Sequence, residues 1–238
     1  MPSQSEKHIG RLGIVIAAGG SSDRYGKGNK LFEKLSGIPL FIHCIKNFMP
    51  LCLPENIVLS CAEKELGKFK KEIKKHLNGQ EICLVKGGAN RTESVYNGIY
   101  ALPETVEIVA VHDAARPFAS AALLLNCVRA CKKYDGAIAA RHVTDTVKRG
   151  DEKCLIKETL DRSTLWTVET PQVFILDKLK KAYQKALKSK KHFTDDSGIM
   201  EYAGYRVCLV ENPDFNIKIT YQADIKYAAR IMNIKCNR

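Results

Sequence analysis

Two apolar runs of this chain stop in the same kind of residue. L-G-I-V-I-A at 12–17 leads into A-G-G-S-S-D-R-Y-G-K-G-N-K, and V-E-I-V-A-V at 106–111 leads into H-D-A-A-R-P. A short, β-branched apolar run that ends in small and charged residues reads as a buried strand delivering a loop. Two such strands bring both loops to the carboxyl edge of a parallel sheet, where open α/β folds hold their ligands. The first loop offers backbone N–H groups with little side chain in the way, and Arg24, Lys27 and Lys30 lie within or beside it. Open amides with cations are the chemistry of a triphosphate.

The rest of the chain repeats this rhythm. Strand patterns are expected at 13–17, 56–61, 81–85, 106–112 and 136–140, and helical periodicity at 39–48, 62–77, 91–102 and 120–134. Such alternation predicts an α/β fold with a mostly parallel sheet and right-handed crossovers. The near-continuous apolar strands fit a sheet covered on both faces. After Arg141 the rhythm breaks: V-T-D-T-V-K-R-G-D-E-K-C-L-I-K-E-T-L-D-R reads as a polar hairpin turning at 149–153. An isolated hairpin is marginal in water, so it is expected to pack against something, a partner subunit being one candidate. Beyond it come helices at 177–188 and 195–204, strands at 205–210 and 216–220, and a last helix from Tyr221. The organisation is one domain over 10–238 with a protruding arm at about 142–164, after a short lead-in up to Ile9.

Composition narrows the class. The chain has 238 residues, 45% hydrophobic and 27% charged, which suits a globular protein with a sizeable core. No apolar run approaches bilayer length, and the first residues lack the apolar stretch of a secretory signal. The nine cysteines are scattered without a C-x-x-C. They read as reduced thiols of a cytoplasmic protein rather than a disulfide or zinc framework. The net charge of +12 sits largely on two lysine-rich helical stretches, 63–76 and 177–192. Aromatic residues do not alternate with these lysines and no nucleic-acid motif accompanies them, so they read as solvated faces that also recruit phosphorylated small molecules.

The motifs exclude several chemistries. The first loop has neither Walker A spacing nor G-x-G-x-x-G, and the chain lacks H-E-x-x-H and a G-x-S-x-G nucleophile elbow. In H-D-A-A-R-P, Asp113 and Arg116 stand three apart at a strand end, with Ala114 and Ala115 leaving room for a ligand. G-G-A-N-R-T-E-S-V lets the backbone approach a flat ring at Gly88, and Ser94 can meet a base edge; the same residues are also helix-capping chemistry. L-D-R-S-T-L-W, E-T-P-Q-V-F, F-T-D-D-S-G and F-N-I-K-I-T each set polar groups beside an apolar anchor.

In order and spacing, A-A-G-G…R…K, G-G-x-x-R-x-x-S-V, H-D-A-A-R-P, D-T-V-K-R, D-R-S-x-L-W, T-P-Q-x-F, T-D-D and N-I-K-I-T resemble the 2-C-methyl-D-erythritol 4-phosphate cytidylyltransferase family, from about Leu12 to Ala229. The resemblance implies a Rossmann-like domain, a β-arm exchanged within a homodimer, and CTP with Mg²⁺. It implies that Arg24 and Lys30 stabilise the pentavalent α-phosphate. Ala17, Ala18, Gly19, Gly20, Gly88, Arg91 and Ser94 would hold CTP. Asp113 and Arg116 would face the sugar phosphate and the metal region. Thr146 and Arg162 from the partner's arm would bind the acceptor, with Thr170, Thr194 and Lys218 completing its pocket. Because these motif residues bring many cations and few carboxylates, the ion is expected to bridge CTP phosphates, with Asp113 as the one protein ligand. The first loop departs from the family's A-A-G-x-G-x-R-M: Ser22 stands where a second Gly is usual, with one extra residue before it. Two rival readings share parts of the pattern. Ribitol 5-phosphate cytidylyltransferases share H-D-A-x-R-P and F-N-I-K-I-T, whereas D-R-S-T-L-W and T-D-D favour the methylerythritol phosphate. A non-catalytic nucleotide- or RNA-binding module finds support only in the altered loop.

Overall fold

The structure is a computed structural model, and it describes residues 9, 11–19, 25–26, 28–189 and 191–236, with side chains to 232. The lead-in before Ile9, together with Gly20, Arg24 and Lys27, lies outside the described residues.

A seven-stranded sheet forms the centre. Its strands are β1 (Leu12–Ala17), β4 (Ile57–Cys61), β5 (Cys83–Lys86), β6 (Ile108–Asp113), β7 (Gly136–His142), β10 (Trp166–Ile175) and β11 (Val207–Glu211). In space they run β11-β7-β10-β6-β1-β4-β5. β2 (Lys34–Leu35) and β3 (Ile38–Pro39) form a small separate hairpin, and β8 (Lys148–Gly150) and β9 (Ile156–Thr159) form the arm.

β1 shows why the sheet is covered twice. Leu12, Ile14 and Ile16 point into one core and Val15 into the other, and all four are fully buried. This period-two alternation sends successive side chains to opposite faces. One face carries α1 (Leu40–Phe48), α2 (Leu66–His76) and α4 (Ala121–Ala130), through residues such as Phe41, Phe69 and Leu124. The other carries α3 (Arg91–Tyr100), α5 (Leu176–Leu187) and α6 (Asp196–Ala203), through Val95, Leu179 and Ile199. α3 lies so close to β1 that a Cβ on Gly98 would stand 2.5 Å from Val15 Cγ1. The last helix, α7 (Gln222–Cys236), packs Ala228 in a small third cluster with Tyr25, Leu35 and Ile219.

Two expectations are corrected. Residues 216–220 form no strand; they run as an extended loop across the sheet's carboxyl edge. Its polar groups are met by other elements: Asn216 Nδ2 donates to Thr170 O at 2.9 Å, and Ile219 N donates to Ala115 O at 2.8 Å. Conversely, Trp166–Ile175 is a ten-residue central strand that the sequence reading broke into turn and cap motifs. Thr170-Pro171 argues against a central strand because proline cannot donate to a ladder. The chain accommodates it with a bulge: the pairing of β10 with β7 shifts register between Val168 and Gln172. β10 is antiparallel to both its neighbours, while β11 returns parallel to β7.

Candidate active site

The carboxyl ends of β1 and β6 lie side by side, with Ala17 paired to Asp113. From there the chain builds two adjoining compartments. Ala17, Ala18, Gly19, Lys30, Ser94 and Ala115 line the first. Arg116, Glu169, Thr170, Gln172, Thr194 and Asp195 are among the residues lining the second. Arg91, Asp113 and Lys218 belong to both and form the wall between them.

In the first compartment the glycine loops pack on Ser94. A Cβ on Gly19 would stand 2.9 Å from Ser94 Oγ, so this position admits little beyond glycine. Ser94 Oγ accepts from the Gly88 N–H at 3.1 Å and donates to Asn90 O at 2.8 Å. Asn90 and Glu93 cap each other at the start of α3, with Glu93 N donating to Asn90 Oδ1 at 2.9 Å and Asn90 Nδ2 donating to Glu93 Oε1 at 2.8 Å. This is capping-box logic, and it fixes the 88–94 turn beside β1. Ser94 thus serves both readings of its motif, since it holds the loop and also lines the compartment. Lys30 opens a short 3-10 turn, Lys30–Phe32, whose preceding Asn29 accepts from Leu31 N at 3.0 Å and donates to Glu65 at 2.8 Å.

The dividing wall is an ionic network. Asp113 Oδ1 accepts from Arg91 Nε at 3.2 Å, and Oδ2 accepts from Lys218 Nζ at 2.6 Å. Arg116 Nε lies 4.0 Å from Oδ2. Burial alone would raise the Asp113 pKa, but Arg91, Lys218 and Arg116 together hold it well below the usual carboxylate range. Arg91 reaches the other way too, donating to Asp196 Oδ2 at 2.8 Å. Burial works against its charge, yet Asp196 and Asp113 outweigh burial and raise its pKa. Fully buried Tyr183 donates its hydroxyl to Asp196 Oδ1. Arg116 Nη1 donates to Asn216 O at 2.8 Å, while its buried Nε makes no hydrogen bond among the described residues.

The second compartment is richer in carboxylates than the motifs suggest, and that expectation is corrected. Asp113, Glu169, Asp195 and Glu201 all line it. Most already have protein partners. Glu169 Oε2 accepts from Asn212 Nδ2 at 2.7 Å and Asn216 Nδ2 at 3.0 Å. Asp195 caps α6 and accepts from Gln172 Nε2 at 2.8 Å. Among the described residues, no group of three or more His, Cys, Asp or Glu side chains is arranged to hold a metal.

Of the residues named from sequence, the described cleft unites Ala17, Ala18, Gly19, Lys30, Arg91, Ser94, Asp113, Arg116, Thr170, Thr194 and Lys218. Gly88 stands at its rim through Ser94. Thr146 and Arg162 are not brought in. Both are exposed on the arm, and Arg162 Nη1 donates to Thr144 O at 2.6 Å. Asp196, Glu169, Gln172, Asn212 and Asn216 went unnamed as site residues. Asp196, Glu169, Gln172 and Asn216 stand inside flagged motifs, but only tertiary structure reveals their partners.

The sheet edge and a cleft of two compartments with a charged wall are those of a nucleotide-handling α/β transferase. Comparison with known proteins narrows this. The model of the family described as IspD, 2-C-methyl-D-erythritol 4-phosphate cytidylyltransferase, matches residues 12–234, and the chain belongs to that family. A protein of that description from Caldanaerobacter subterraneus subsp. tengcongensis is 38% identical over 219 residues, covering 91% of this chain and 96% of its own. One from Bacillus velezensis is 38% identical over 221 residues, covering 92% and 94%. The crystal structure of a 4-diphosphocytidyl-2C-methyl-D-erythritol synthase from Anaerococcus prevotii superposes with a TM-score of 0.81 at 28% identity, covering 94% of this chain and 96% of that one. Neither the ribitol phosphate reading nor the non-catalytic one is favoured by these relatives.

Proposed function

We propose that the protein transfers CMP from CTP to 2-C-methyl-D-erythritol 4-phosphate, releasing pyrophosphate and forming 4-diphosphocytidyl-2-C-methyl-D-erythritol. The observation that carries this is the shared wall: Arg91, Asp113 and Lys218 border both compartments, so two phosphorylated ligands would meet across it. CTP occupies the glycine-lined side and the acceptor the Thr170 side.

A phosphate oxygen of the acceptor attacks the α-phosphorus in line, and pyrophosphate leaves. No general base is needed, because a phosphate monoester with a second pKa of about 6 is already largely dianionic at neutral pH. The obstacle is like-charge repulsion, and positioning with charge neutralisation lowers it. Arg24 and Lys30 serve the triphosphate, and Lys218 turns from Asp113 towards the incoming phosphate. Asp113, whose carboxylate borders both compartments, fits a divalent ion held chiefly by the substrate, as its one protein ligand. Held beside Asp113, such an ion would supply neutralisation of the triphosphate charge.

The working unit is a homodimer in which Thr146 and Arg162 of one arm reach the acceptor compartment of the other protomer. The protein is placed in the cytoplasm, in keeping with cysteines that are all free among the described residues. Among the described residues no helix is long and apolar enough to cross a membrane. Pyrophosphate release from CTP, measured with methylerythritol phosphate and with ribitol 5-phosphate in parallel, tests the reading. Preference for ribitol 5-phosphate would overturn the acceptor assignment.

A further inference from the structure

His112 touches neither compartment, yet both of its ring nitrogens are engaged beneath them. The ring is fully buried. Nε2 lies 3.1 Å from Arg116 O, and Nδ1 lies 3.0 Å from Thr170 Oγ1. A carbonyl oxygen can only accept, so Nε2 carries a proton. No carboxylate among the described residues meets either nitrogen, and an unpaired charge in this position would be costly, so the ring is neutral and Nδ1 is a bare acceptor. The proton between Nδ1 and Oγ1 must therefore come from the threonine hydroxyl. Thr170 Oγ1 in turn accepts from the Asp113 N–H at 3.1 Å. Its proton and one lone pair are thus committed inside the protein, and one lone pair remains.

We propose that His112 is a positioning residue that fixes the polarity of the Thr170 hydroxyl, so that Thr170 offers the acceptor compartment only a lone pair and recognises a hydroxyl hydrogen of the polyol, not its phosphate. The proposal rests on the polyol-phosphate reading above. It divides the labour in the compartment: cations hold the phosphate, and a hydroxyl oxygen that cannot donate holds the carbon chain. A phosphate oxygen placed against Thr170 would meet a second acceptor with no hydrogen between them.

Two isosteric variants separate the two ends of the imidazole. His112→Asn places an amide oxygen where Nδ1 stands and loses the donor to Arg116 O. His112→Gln places an amide nitrogen where Nε2 stands and loses the acceptor for Thr170. Each deletes one buried hydrogen bond, so a merely structural role would lower both melting temperatures and both activities alike. The measurement is kcat/KM for methylerythritol phosphate and for each of its monodeoxy analogues, with KM for CTP as the control. The wild type is expected to reject one analogue by at least about tenfold, the scale of a lost hydrogen bond in a site built for it. His112→Asn should keep that discrimination. His112→Gln should lose most of it, raising KM for the acceptor but not for CTP. Equal discrimination by the two variants, or none by the wild type, would overturn the proposal. Nitrogen-15 shifts of the His112 ring decide independently: a proton on Nδ1 with turnover intact overturns this inference alone. Failure of every polyol phosphate to release pyrophosphate sinks the transferase reading, and the ligand named here with it.

Discussion

Asp113 has two carboxylate oxygens and three cationic neighbours, which makes it the residue whose loss should be felt in most ways. Asp113→Asn keeps the shape and removes the charge, leaving Arg91, Lys218 and Arg116 to repel one another. Removing one partner of a buried ion pair costs about 3–5 kcal/mol, and a loss near the lower end is expected by thermal melting, because the Lys218 side chain is 39% exposed. The pH dependence has a definite sign. The native carboxyl is held below its usual range, so its contribution to stability is complete above the ordinary carboxylate pKa of about 4 and is lost as pH falls through the lowered native value. Asp113→Asn should melt at temperatures that converge on the wild type in acid. Parallel curves would show that the network is not what holds this group ionised. Lys30→Ala should lower kcat by about 10²-fold, the scale for one lost donor to a charged transition state, while Asp196→Asn, which touches no substrate, should cost about tenfold through Arg91. If Asp196→Asn proved the more damaging, the wall rather than the triphosphate grip would dominate the rate. Asp113, Arg116 and Lys218 were legible in sequence because each sits in a compact motif. The link between Arg91 and Asp196 was not, because its partners stand 105 residues apart and only the packing of α3 and of α6 against α5 and the sheet brings them together.

Among the elements, the crossover units were legible and β10 was not. Periodicity marks β1, β4, β6 and their helices because each strand is buried on both faces and each helix shows one apolar stripe. β10 carries a proline, a bulge and buried polar residues at Glu169, Thr170 and Gln172. These are the features that make it part of the site, and they erase its strand pattern. The loop 216–220 is the converse: it alternates like a strand but pairs with no ladder among the described residues, since Asn216 and Ile219 are anchored by β10 and the H-D-A-A-R-P loop. The arm offers a test of whether the site is shared between two chains. Lys30→Ala and Arg162→Ala homodimers should each be nearly inactive. After co-refolding, random re-association makes half the dimers mixed. In each of these one site collects both lesions and the other neither, so about a quarter of all sites should recover, as two-fold symmetry requires. No recovery would place Arg162 in its own chain's site.

At the scale of the molecule, charge and cleft act together. The net charge of +12 lies largely on α2 and α5, whose lysines face solvent around a core that never needed them. Such a field recruits polyanions and is screened by salt. KM for CTP should therefore rise as ionic strength increases, while kcat at saturation changes little; a salt-independent KM would mean that the basic surface contributes nothing to capture. Chelation gives the complementary result: EDTA should abolish turnover and leave the melting temperature unchanged, because the ion is expected to arrive with substrate and no described cluster holds it. Full activity in EDTA would refute the proposed role of the ion. The fold class and most of the cleft could be read from the chain, while the partnering of carboxylates across it could not, since burial decides that.

The place where the arm leaves the sheet has a practical consequence. His142 and Trp166 are opposed partners at the ends of β7 and β10, and their rings lie 3.5 Å apart between centroids. Two antiparallel strands ending opposite each other are the ends of an ordinary hairpin, which a tight turn can close. The whole segment between them is thus an appendage on a sheet that is already complete. A chain shortened there would keep the whole seven-stranded sheet and lose only the arm, and with it Thr146 and Arg162.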